Sequence, residues 1–138
     1  MTQSFVEKRK HKRYDLHVKL YLKSVNCSFN DFWAETINLS ESGAFIKTPE
    51  DIELFERFQG ILEIPEDIKY PETFNKINFE GIFIRKEIRL AQQIKEYYAG
   101  IYFEHIEKEK ITEIKKFINK FGEKNLFYKI LNFFIKPV

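Results

Sequence analysis

The chain has a single cysteine, Cys27, among 138 residues. One cysteine excludes an internal disulfide and a cysteine-based metal site, and it fits a reducing compartment, which makes the cytoplasm the expected location. An excess of one charge sign is also missing. The 23 Lys and Arg nearly balance the 21 Asp and Glu, so the chain as a whole is no polyelectrolyte for nucleic acid, and no nucleic-acid partner is expected. Long hydrophobic runs are absent too. The most apolar stretch, "NLFYKILNFFIKPV", is broken by Lys129 and Asn132 and is too short to span a bilayer. No apolar run of signal-peptide type follows the basic N-terminal stretch. Nucleophile elbows, P-loops and paired-carboxylate motifs do not occur, so no enzyme is predicted. His11, His17 and His105 lie in three separate elements without partners at ligand spacing, so neither a metal nor a cofactor is expected.

What is present is enough apolar material for one packed domain: 43% hydrophobic residues, with 15 Phe and 7 Tyr. From Tyr14 the pattern has period two, with Tyr14, Leu16, Val18, Leu20 and Leu22 on one face. That is the mark of a half-buried antiparallel strand. "DFWAETINLS", "AFIKT", "GILEIP", "KINFEGIFIRKEIRL" and "EYYAGIYFEHI" read as further strands, with "ESG" as turn chemistry. "EDIELFERFQG" is expected to hold one helical turn, and "EDIKYPETFN" a loop. Six strands in an open sheet leave exposed edges, so closure into a small antiparallel barrel is predicted. After His105 the period becomes helical, with Ile106, Ile111, Ile114, Phe117, Ile118 and Phe121 largely on one face and Gly122 as the cap. A second amphipathic stretch covers roughly residues 124 to 135. Cys27 is expected in a turn or the core, and Trp33 in the core or on the barrel surface.

Two short motifs carry the chemistry. Residues 8 to 13, "KRKHKR", place Arg9 and Arg13 four apart. Guanidinium pairs two-pronged with phosphate or with the O6/N7 edge of guanine, which lysine does poorly. The chain otherwise prefers lysine, 18 to 5, yet two of its five arginines stand here. A solvated basic arm is the ordinary meaning of such a run. Arg85 and Arg89 repeat the spacing in "IRKEIRL", where a strand end and a loop are expected. The second motif is "NLSESG". Asn, Ser and Gly are ordinary turn formers, but Asn38 both donates and accepts, Ser40 offers a hydroxyl, and Gly43 permits close approach of a ligand and positive φ.

Together, RxxxR just before the first strand and N-x-S-x-x-G about one hairpin later resemble the two-part signature of the PilZ domain family. "GIFIRK" and the Gly100-Ile-Tyr-Phe103 pattern, followed by a helix, extend the likeness over roughly residues 7 to 120. Asn38 stands where many members carry Asp, and Lys8 and Lys12 where Arg and Pro are common. The resemblance implies a mainly β fold: a six-stranded antiparallel β-barrel with one or more C-terminal helices. It implies a non-catalytic receptor for the bacterial second messenger cyclic di-GMP, with Arg9 and Arg13 clasping guanine and phosphate, and Asn38, Ser40 and Gly43 lining the guanine-facing surface. The expected organisation is a flexible basic arm over 1–13, the barrel and its helix over 14–121, and an amphipathic helical segment over 122–138. Ligand would order the arm on the barrel and so control a protein partner, which family analogy places in flagellar, pilus or secretion machinery. The aromatic C-terminal segment suggests a further helix packed on the domain, or a homodimer formed through the C-terminal helices. Two other readings remain open: a PilZ-fold adaptor that binds no nucleotide, and a small RNA-binding barrel.

Overall fold

The structure is a computed structural model, and it describes residues 12–25, 29–66 and 74–122. Six antiparallel strands close into a barrel in the order β1-β2-β3-β6-β5-β4. They are β1 (Lys19–Ser24), β2 (Phe32–Leu39), β3 (Gly43–Thr48), β4 (Arg57–Pro65), β5 (Phe74–Ala91) and β6 (Ile94–His105); the helix α1 (Lys108–Phe121) follows. The expected fold class is thus the observed one.

The alternation sets the inside of the barrel. Leu20, Leu22, Ile46, Leu62, Ile77 and Phe83 are essentially inaccessible, while Lys19, Lys23 and Lys47 face out. Two glycines let large rings fit within this narrow interior. Gly60 lies opposite Phe79 and Gly81 opposite Phe58. A Cβ on Gly60 would come within 2.3 Å of the Phe79 ring. The rings of Phe58, Phe79, Phe83 and Phe103 then meet edge-on or stacked at centroid separations of 4.6–6.0 Å. On α1, Ile114, Phe117 and Ile118 are buried and join the same core as the barrel interior. The Gly122 N–H caps the carbonyl of Ile118 at 2.6 Å.

Three local expectations change. "EDIELFERFQG" forms a turn at Leu54–Phe55, with Phe55 at φ 66°, and no helix. The Phe55 N–H donates to Phe83 O and the Phe83 N–H to Glu56 O, so sheet-like pairing captures this backbone. The strand expected over "KINFEGIFIRKEIRL" is observed, and "IRKEIRL" belongs to it in full with no loop, since β6 pairs with β5 as far as Ala91↔Ile94. The hairpin closes at Gln92 and Gln93, both with positive φ, as a two-residue turn of the favoured hand requires. The first strand begins at Lys19 rather than Tyr14, for a reason that bears on the site. Trp33 lies outside the barrel, 58% exposed and beside Tyr21. Cys27, residues 67–73 of the loop predicted over "EDIKYPETFN" and the second amphipathic stretch lie outside the described residues; Phe74 and Asn75, at the end of that predicted loop, belong to β5. Among the described residues, no helix is long and apolar enough to cross a membrane.

Candidate functional site

The segment before β1 keeps inward alternation, with Leu16 and Val18 buried, but a side chain replaces part of the backbone ladder. The buried Thr36 hydroxyl accepts from the Val18 N–H at 2.9 Å and donates to the Leu16 carbonyl at 2.7 Å. The Thr36 carbonyl meets Nδ1 of His17 at 2.8 Å. Beyond this latch the chain re-engages β2: Tyr14 and Leu39 exchange two backbone hydrogen bonds, both 2.9 Å. Continuing that antiparallel register by one residue sets Arg13, which is half-buried, beside Ser40. Arg13, the last residue of the first motif, thus reaches the second motif, more than twenty residues away in sequence, at one corner of the barrel. Lys12 reaches over the Tyr14 ring at 5.5 Å. Arg9 lies outside the described residues.

A β-bulge determines which way Asn38 faces. Thr36 pairs with Ile46 and Leu39 with Ala44, all four buried, with the register shifting between Thr36 and Asn38. Strict alternation from Thr36 would turn Asn38 inward. The extra residue reverses the parity and sets Asn38 on the outer face, opposite Phe45. There its Oδ1 is shielded from solvent and has no hydrogen-bond partner among the described residues. A shielded acceptor without a donor is costly, and a ligand N–H or a cationic side chain can supply one.

Ser40 and Gly43 build the turn. Ser40 is 3% exposed, and its Oγ accepts from the N–H groups of Ser42 and Gly43, both at 3.2 Å. The Ser40 N–H donates to the Gly43 carbonyl at 2.8 Å. Gly43 does not use positive φ. Its lack of a side chain serves the approach of β6: a Cβ there would stand 2.1 Å from the Ile101 carbonyl oxygen. The requirement for glycine is met by packing between strands.

The outer face continues past Asn38 into residues that the sequence reading passed over. Phe45, only 5% exposed, stacks in parallel with Tyr98 at 5.8 Å. The guanidinium of Arg85 lies 5.1 Å from the Phe45 ring centre, and that of Arg89 4.2 Å from Tyr98. Glu87 bonds to both arginines. Its hydrogen bond with Arg85, then that with Arg89, holds its carboxyl below the usual carboxylate range. The repeated four-residue spacing was the visible signal. Expecting a strand end and a loop there hid it.

A separate concavity of about 750 Å3 is lined in part by Tyr21, Lys23, Glu80, Glu104, His105 and Glu107, and it shares no residue with this corner. Three carboxylates on its wall are the wrong sign for a dianionic ligand. Among the described residues, no three His, Cys, Asp or Glu side chains gather to hold a metal.

The barrel, its helix and the meeting of Arg13 with the N-x-S-x-x-G turn define a PilZ-type domain. The model of the PilZ domain family matches residues 7–120, and the chain belongs to that family. Among solved structures, the PilZ domain of Escherichia coli YcgR with c-di-GMP superposes with a TM-score of 0.65 at 14% identity, over 90% of this chain and 98% of that one. Bacillus subtilis MotI, an inhibitor of motility, gives 0.65 at 14% identity over 83% of this chain and 52% of its own. The c-di-GMP complex of K. pneumoniae MrkH gives 0.63 at 13%, over 90% and 56%. At such identities the likeness is one of fold, and the chain spans about half the length of MotI and MrkH. No curated protein matches it in sequence.

Proposed function

We propose that this protein is a non-catalytic cytoplasmic receptor for cyclic di-GMP. The observation that carries the reading is the register that sets Arg13 beside Ser40, next to an outward Asn38 whose shielded Oδ1 has no donor among the described residues. Guanine presents N1–H and N2–H groups that suit such an acceptor, and its O6/N7 edge suits an arginine fork. In this reading Arg9 and Arg13 hold guanine and phosphate, Asn38 receives the base, and Ser40 and Gly43 shape the turn beneath it. Family membership and the ligands of YcgR and MrkH support it. Bound ligand neutralises the basic residues 8–13 and fixes them over the barrel, making a surface that a separate protein partner reads.

Calorimetric titration with cyclic di-GMP, with GTP and cyclic di-AMP as controls, tests the proposal. Arg13→Ala is expected to weaken binding about tenfold to a hundredfold, the worth of one bidentate contact. Amide exchange across residues 5–14 should slow at saturating ligand. Absence of binding by the folded protein would refute the receptor reading and leave the nucleotide-free adaptor.

A further inference from the structure

Two bulges act on opposite sides of the same outer face. The first turns Asn38 outward on β2. The second falls between Phe83 and Arg85 on β5. Phe83 is buried and pairs with Ile101; strict alternation would send Arg85 inward as well. The inserted Ile84 reverses the parity, and Arg85 emerges opposite Gly100. The pairings Asn38↔Phe45, Phe45↔Gly100 and Gly100↔Arg85 form one unbroken row across four strands. Gly100 keeps that row low, since a Cβ there would press within 3.3 Å of the Arg85 Cβ. Arg85 leans back along the row until its guanidinium lies over Phe45, the direct neighbour of Asn38.

This arginine is held in place yet keeps donors to offer. Phe45 supports its flat face, and Glu87 bonds to one terminal nitrogen. The side chain is still 50% exposed. Arg89 lies nearer Tyr98, at 4.2 Å, than Phe45, at 5.7 Å, and both its Nε and a terminal nitrogen face Glu87. A pre-oriented fork on an aromatic floor loses little conformational freedom when it binds.

We propose that Arg85, aimed by the β5 bulge and seated on Phe45, is a specificity residue that reads the O6/N7 edge of the ligand's second guanine, the one farther from Arg13. The inference rests on the cyclic di-GMP reading and deepens it. A cyclic dinucleotide presents two bases to one face, and the row offers two base-reading groups on that face, Asn38 with Arg13 and, over Phe45 on the next strand, the Arg85 guanidinium.

The test compares cyclic di-GMP with the mixed 3′,3′-cyclic GMP–AMP, in which one base carries an N6 amino donor where guanine has the O6 acceptor. The wild type should prefer cyclic di-GMP by about tenfold to a hundredfold. Arg85→Ala should weaken cyclic di-GMP by a similar factor but the mixed ligand far less, so the preference falls to near unity. Arg85→Lys should lose the preference too, because lysine keeps the charge and lacks the fork. Urea midpoints confirm that each variant is folded. Equal weakening of both ligands would reduce Arg85 to a general charge and overturn the inference, as would unchanged binding of both. Those results leave the receptor reading intact when the wild type binds cyclic di-GMP and Arg13→Ala weakens that binding. Failure of the wild type to bind either ligand overturns both.

Discussion

Replacing Thr36 by valine isolates the latch that brings Arg13 to the barrel. The change is nearly isosteric and leaves the core volume intact. It removes one hydroxyl that serves two buried backbone groups, the Val18 N–H and the Leu16 carbonyl. Both would be left without a partner beside a residue only 1% exposed. An unmet buried polar group costs about 1–3 kcal/mol. Local relaxation recovers part of that, so the expected loss is about 2–4 kcal/mol, against a total stability of roughly 5–15 kcal/mol for a domain. Urea denaturation reads the loss directly, and amide exchange at Val18 should accelerate more than exchange at Leu62 in β4. Thr36 is too deeply placed to touch ligand, yet Arg13 hangs from the segment it secures. Cyclic di-GMP binding should therefore weaken although no contact residue has changed. A stability within about 0.5 kcal/mol of wild type, as for an ordinary surface change, would refute the view that the hydroxyl replaces the ladder here.

Two further outcomes follow from the same geometry. Gly43→Ala places a methyl against the Ile101 backbone, which cannot swing aside as a side chain would; destabilisation of about 1–3 kcal/mol or more is expected in thermal and urea melts. The Arg57–Glu104 pair gives a pH signature. Its hydrogen bond with Arg57, foremost, holds Glu104 below the usual carboxylate range. A carboxyl lowered by folding stabilises at neutral pH and loses that contribution as pH falls through its folded value. The melting-temperature gap between wild type and Glu104→Gln should be present at pH 7 and close on acidification; a gap unchanged down to pH 3 would refute it.

Much of the barrel was legible because alternation is a local property. Each of Leu16, Val18, Leu20 and Leu22 announces an inner face by its spacing alone, and six such strands must close to avoid bare edges. The helix after His105 declares itself in the same way, by a change of period. The two motifs were legible because arginine forks and an Asn-Ser-Gly turn have chemistry that lysine-rich or apolar strands lack. The helical turn expected near Leu54 failed because that backbone is taken by Phe83, about thirty residues away.

The one-dimensional pattern thus determined the strands, their inner faces, the helix and the residue types suited to a guanine nucleotide. Tertiary structure decided where those residues point. Register belongs to two strands at once, and a bulge adds one residue to only one of them, with no compositional mark. Reading β2 alone sends Asn38 into the core, and reading β5 alone sends Arg85 there. Only the pairing with β3 and β6 reverses both and lays them on one outer row. Thr36 looks like any strand threonine until Leu16 and Val18 are placed on either side of its hydroxyl.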